Sequence, residues 1–120
     1  MSEETTQPLA SIIGILKDVE DPGSGAIAGY HVVVGYQVML QHGGSSAVSF
    51  ASYVSRAAQE AGKNPLAHVT LPVRGAPTGD SALWPTWFAE RVLAGDVVLQ
   101  PGQAAHALDG GLAIRAGEPA

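Results

Sequence analysis

The 120-residue chain contains no cysteine, which excludes disulfide frameworks, thiolate nucleophiles, iron–sulfur clusters and cysteine-based zinc sites together. Charge is scarce too. Asp, Glu, Lys and Arg make up 14% of the residues, against roughly 25% in an average soluble domain. The six cations, Lys17, Arg56, Lys63, Arg74, Arg91 and Arg115, stand singly along the chain, whereas binding a nucleic acid needs them clustered to displace counterions. A nucleic-acid partner is therefore not expected. No apolar run approaches the roughly 18 residues that span a bilayer, so membrane insertion is not expected either. The opening MSEETTQPLA has neither the basic region nor the long apolar region of a secretory signal, and synthesis in the cytoplasm is the expectation that follows.

What fills the space left by charge is small and neutral. Apolar residues reach 46%, with 15 Gly and 8 Pro. That apolar supply, with a net charge of only −5, is enough to build a core and argues against disorder along the whole chain. The length fits one domain. Acidity is concentrated at the front: Met1–Asp21 carries a net −4 through Glu3, Glu4, Asp18, Glu20 and Asp21 against Lys17, leaving −1 for everything after it. The body is thus nearly neutral in net charge, which suits burial against partners.

Along the chain, residues 1–9 read as a mobile N-terminal arm ending at Pro8-Leu9, residues 10–115 as a single β-rich domain, and residues 116–120 as a frayed tail. Ala10–Leu16 is a short β-branched run and a predicted first strand, followed by a flexible Asp/Pro/Gly-rich loop over residues 17–29. Tyr30–His42 is the clearest signal. Val32, Val34, Tyr36, Val38 and Leu40 alternate against His31, Gly35, Gln37 and Gln41, with Val33 and Met39 as apolar exceptions, which predicts a long half-buried strand. Gly35 in its middle points to a bulge or a close neighbour. A Gly43–Ser46 turn leads into alternating Ala47–Val54, completing a hairpin.

Ser55–Gly62 reads as two turns of helix or a widened connection ending at a C-terminal glycine. Ala67–Arg74 alternates again, with Pro72 demoting it to an edge or a bulge. Asp80–Gly95 is the firm helix, its regular part running from Pro85 to Ala94 with Gly95 as terminator. Leu83, Trp84, Trp87, Phe88, Val92 and Leu93 are spaced for one packed side. Short strands are predicted at Asp96–Leu99 and Gly111–Ile114. With about five or six strands following one another and one firm helix near residues 85–94, the fold class is α+β, mainly antiparallel β.

Chemistry-bearing patterns are thin. The four histidines, His31, His42, His68 and His106, show no helical i, i+4 pair; His42 and His68 could face each other across paired strands but read more simply as solvent-facing. Gly23-Ser24-Gly25 near Asp21 falls short of a nucleophile elbow by one spacer residue. Gly43-Gly44 and Gly110-Gly111 read as turn glycines, and no phosphate-binding glycine motif occurs. Glu90 and Asp96 imitate a glycosidase carboxylate pair but sit where outward helix residues and strand starts carry acid. No catalytic, cofactor-binding or metal-ligating residue is predicted, and no enzyme activity. The tryptophans Trp84 and Trp87 are the ambiguous pair, since an exposed indole stacks on sugars or anchors an interface and a buried one fills a core.

His31-Val32-Val33, Ala51-Ser52-Tyr53-Val54-Ser55, Ala61-Gly62-Lys63-Asn64-Pro65, the aromatic helix ending in Leu93 and the Gly110-Gly111 pair before the last strand together resemble small structural proteins of tailed phages and prophages, encoded among tail and tail-fibre genes. The likeness covers most of residues 30–114. It implies a non-enzymatic virion component, made in a bacterial host's cytoplasm and built into the particle, whose partners are other virion proteins and copies of itself. The acidic arm and the long Asp/Pro/Gly loop depart from that pattern. Tyr30, Val33 and Met39, on the polar face of the long strand, and Trp84 at the helix start are the expected contact residues. A carbohydrate-binding module using Trp84, Trp87 or a tyrosine, and a capsid decoration protein, are the alternatives.

Overall fold

The computed structural model describes residues 11–21, 23–39, 45–103 and 105–116. The predicted arm, the Gly43-Gly44 turn with Leu40 and His42, and the tail past Ala116 lie outside the described residues. Five strands, β1 (Ile12–Glu20), β2 (Ile27–Met39), β3 (Ser45–Tyr53), β4 (Ala67–Arg74) and β5 (Leu112–Arg115), form one antiparallel sheet in the order β4-β3-β2-β1-β5. Two helices accompany it, the short α1 (Arg56–Glu60) and the main α2 (Trp84–Leu93). The architecture is α+β and mainly β, as the alternating segments predict.

The sheet is built by period-two alternation. On β3, Ser46, Val48, Phe50 and Ser52 are buried, and they face Val73, Leu71, Val69 and Ala67 of β4. Against this face lies α2, whose Phe88, Ala89 and Val92 close a core with Ile12 and Ile15 of β1, Val48 and Phe50 of β3, and Leu71 and Val73 of β4. Fully burying a side chain the size of Phe88 contributes about 1.5–3 kcal/mol. The helix starts through a tight turn, Ser81–Leu83, capped by the Asp80 carboxylate, which accepts from the Ala82 N–H at 3.0 Å. Pro85 occupies its first turn, where a missing N–H costs nothing. Gly95, at φ +87°, ends it as predicted.

Four expectations change. First, β1 runs on to Glu20, so the predicted loop shrinks to a hairpin turn: Asp21 N–H donates to Ala26 O at 2.8 Å and Gly25 N–H to Asp21 O at 2.7 Å. Polar Lys17, Asp18 and Glu20 are compatible with a strand whose end is solvated. Second, the register of β2 against β3 shifts between Val33 and Gly35. The glycine does mark a bulge, but the bulge reverses side-chain parity, so no single alternation runs the length of the strand. Val33 and, beyond the bulge, Tyr36 and Val38 lie opposite Phe50, Val48 and Ser46 on the helix-covered face, and Val34 is the extra residue.

Third, Asp96–Leu99 is not a strand. It touches the edge of β4 through one bridge, Val97 to Val73, flanked by Arg74 N–H to Asp96 O at 3.0 Å and Val98 N–H to Pro72 O at 2.9 Å. The second of these bonds shows that Pro72 turns its backbone to the outer edge, where its missing N–H breaks no ladder bond. Fourth, Leu83 is 61% exposed rather than packed with its helix neighbours, because it belongs to the turn before α2.

Tyr30 is buried and lies over Gly14 of β1; a Cβ on Gly14 would collide with its ring. Ring and glycine form a complementary pair across β1 and β2. Gly14→Ala is therefore expected to lower stability by about 1–3 kcal/mol through overpacking, measured by urea unfolding, whereas Gly35→Ala, where an added Cβ meets nothing within 4 Å, is expected to change it far less.

Candidate functional site

The start of α2 positions the most distinctive surface of the molecule. Two tethers hold the helix in place. The Ile12 N–H of β1 donates to Thr86 Oγ1 at 3.0 Å, and Arg115 of β5 pairs with Glu90 at 3.6 Å. Between these anchors opens a cleft of about 400 Å³, walled by Leu83, Trp84 and Trp87 and edged by Ser11, Thr78, Thr86 and the Glu90–Arg115 pair. Its surface is mostly indole and aliphatic, with a carboxylate, a guanidinium and hydroxyls at the margin.

The aromatic side chains are fixed by one another. Tyr36 stacks on Phe88 with ring centres 5.1 Å apart and meets Trp84 at 5.8 Å, tilted by 60°. Trp87 meets Phe88 edge-on at 5.0 Å, and the Arg91 guanidinium lies 5.3 Å from the centre of its ring. Arg91 is itself held by Asp96 at 2.8 Å, so a cation–π contact and an ion pair share one side chain. Trp84 Nε1 is buried with no hydrogen-bond partner among the described residues. Both tryptophans are half-buried: each serves the core with one edge and the cleft with the other.

A second constellation lies inside the sheet. His31 is buried; its Nε2 is 2.7 Å from Lys17 O and its Nδ1 is 2.8 Å from Ser52 Oγ. A carbonyl can only accept, so Nε2 carries the proton and, in the neutral ring, the Ser52 hydroxyl donates to Nδ1. Burial pushes the imidazole below the usual histidine range, partly offset by the Lys17 bond and the nearby Asp18 carboxylate. Ser52 also lines a smaller pocket of about 230 Å³ with Glu20, Asp21 and His68. His31 and Ser52 face each other across β2 and β3, so their first effect is to fix the register of the two central strands.

The predicted contact residues scatter. Trp84 lines the cleft. Met39 is exposed near the end of β2. Val33 packs partly against the core on the helix-covered face, and Tyr30 is buried over Gly14; the parity change at the bulge and the Gly14 notch are the reasons these two do not present themselves on a polar strand face. Of the chemical patterns weighed, Ser24 Oγ donates to Asp21 Oδ2 at 2.7 Å within the first turn, and Glu90 and Asp96 each pair with an arginine. His68 is exposed and His42 lies outside the described residues. Among the described residues, no three His, Asp or Glu side chains gather in a way that could hold a metal ion.

Sequence reasoning missed both Arg115 at the edge of the cleft and the Lys17–His31–Ser52 chain. The only signal for the latter was a histidine inside the strongest strand. No known protein family, curated protein or solved structure matches the chain.

The buried histidine has a thermodynamic consequence. Its folded-state pKa lies below the unfolded value of 6.5, so above that value the ring is neutral in both states and its contribution is intact. As pH falls below 6.5, the unfolded chain takes up the proton first and stability declines until the lower folded-state value is passed. Urea unfolding between about pH 7.5 and about pH 5 is expected to show this decline in the parent. In His31→Phe the component is expected to vanish, with a loss of about 1–3 kcal/mol at neutral pH from the stranded Ser52 and Lys17 groups.

Proposed function

We propose that this chain is a non-enzymatic structural subunit of a larger particle, a tail or tail-fibre component of a phage virion in the sense its sequence resemblance implies, working through contacts with virion proteins and with copies of itself. The observation that carries the reading is the placement of exposed apolar side chains on a body of nearly zero net charge. Leu112, on the β5 edge, is 63% exposed, and Val98, beside the opposite β4 edge, is 46% exposed. Leu83 before α2 adds a third position, and Val34 and Met39 on β2 are 55% and 47% exposed. A protein that binds one small ligand needs one such patch. Apolar exposure at both edges and at the helix start suits a subunit with neighbours on several sides.

Analytical ultracentrifugation over a wide concentration range, with co-sedimentation on phage particles, tests this. Self-association and incorporation into particles are the expected results, and the position of the added density in a particle map separates a tail component from a capsid decoration protein. A strict monomer that never associates with particles overturns the proposal.

The cleft favours a second reading, a saccharide-binding module. Indole walls bind the apolar faces of sugar rings, and a carboxylate–guanidinium pair at the margin suits hydroxyl recognition. On that reading Trp87→Ala abolishes binding on a glycan array while leaving the circular dichroism spectrum unchanged; no binding by the parent protein removes it.

A further inference from the structure

Beyond the assembly reading, we propose that the smaller pocket binds a primary alkylammonium group, the head of an aliphatic amine or of a lysine side chain. The pocket lies at the end of the sheet where β1 and β3 finish and β2 and β4 begin, and it shares no residue with the aromatic cleft. Val19 of β1, Ala28 of β2 and Ala67 and Val69 of β4 give it apolar walls. Its head-group preference is set by Glu20, Asp21 and Ser52, with His68 exposed beside them.

Glu20 and Asp21 bring two carboxylates to one small opening, and among the described residues neither makes an ion pair, whereas Glu60, Glu90 and Asp96 each have an arginine. Asp21 Oδ2 accepts from the Ser24 N–H at 3.2 Å and from its hydroxyl at 2.7 Å, which orders the carboxylate without neutralising it. A pocket with this charge repels anions and favours a cation.

Ser52 supplies a second, independent constraint. It is 2% exposed. Lys17 O obliges His31 to carry its proton on Nε2, so in the neutral ring the Ser52 hydroxyl commits its one proton to Nδ1 at 2.8 Å. The buried oxygen is left with lone pairs, able to accept from a ligand and unable to donate to one. An ammonium has three donors and no acceptor, and here it meets two carboxylates and the Ser52 oxygen, all acceptors. Hydroxyl, amide and carboxylate ligands each bring an acceptor that none of these three groups can satisfy. A guanidinium also only donates, but its planar fork suits one bidentate carboxylate, whereas three separate acceptors suit the three directions of an ammonium. The apolar walls take the short alkyl stem.

Titration of isotope-labelled protein with n-butylammonium chloride, followed through amide chemical shifts, tests the assignment. Saturable shifts at Ala28, Ser52 and Ala67 are expected, with a Kd on the order of millimolar, and n-butanol or sodium chloride at the same concentrations is expected to produce none. Glu20→Gln, at an exposed position, is expected to weaken binding about threefold, and Glu20→Gln with Asp21→Asn about tenfold. Ala67→Leu, which fills the apolar side, is expected to abolish binding. N-acetyl-lysine methylamide separates the two sources: binding as tight as that of butylammonium assigns the group to a protein side chain, and binding of butylammonium alone assigns it to a free amine. Equal shifts with n-butanol, a Kd unchanged by Glu20→Gln, binding that survives Ala67→Leu, or no saturable shift in the parent overturns the site.

Discussion

The change of side-chain parity at Val33–Gly35 governs the rest of the molecule. β2 is the longest strand and performs two tasks in succession: its first half lies between β1 and β3, and among the described residues its second half pairs with β3. Without a bulge, period-two alternation would put Tyr36 and Val38 on the face opposite Val33. With it, all three lie under α2, and Tyr36 can stack on Phe88. Val34 becomes the residue with no place in the ladder, and a glycine beside it eases the local bend.

From that one adjustment follows a division of labour between the ends of the sheet. Near the β2 start, polar and steric specificity dominates. His31 ties Lys17 and Ser52 together, and Tyr30 fits over Gly14, so the registers of β1, β2 and β3 are each fixed by a contact that a slip of one residue would destroy. Towards the other end the sheet depends on bulk apolar packing under α2, which is less selective of register. The helix is accordingly tethered by separate devices, Thr86 to the start of β1 and Glu90 to Arg115. Those tethers lie at the rim of the aromatic cleft, so the groups that place the helix also shape the surface it offers.

Much of this was legible in the residues. Alternation in Ala47–Val54 and Ala67–Arg74 placed two strands, Pro72 marked an edge, Pro85 and Gly95 bracketed the helix, and Gly35 marked the bulge. Each is a local signal with a local cause. The errors arose where a local signal was read without its partner. Lys17–Glu20 looked like loop because of the Asp/Pro/Gly stretch behind it, yet the strand needed only β2 beside it to continue. Tyr30 looked available for contacts because nothing near it in sequence announces that Gly14 provides its notch. The cleft was half legible: Trp84 and Trp87 were visible as a pair, but Arg115 reaches them only because β5 adds beside β1.

The scarcity of charge acquires a more definite meaning once the edges are compared. Low charge spread evenly over a surface would be a solubility liability. Here Pro72, Arg74 and the Asp96–Val98 segment occupy the outer edge of β4, and β5 is only four residues long and ends in Arg115, while exposed Val98 and Leu112 leave apolar side chains at the same margins. Such margins discourage the addition of further strands while leaving side-chain contacts open, which is the kind of edge a subunit with neighbours on several sides requires.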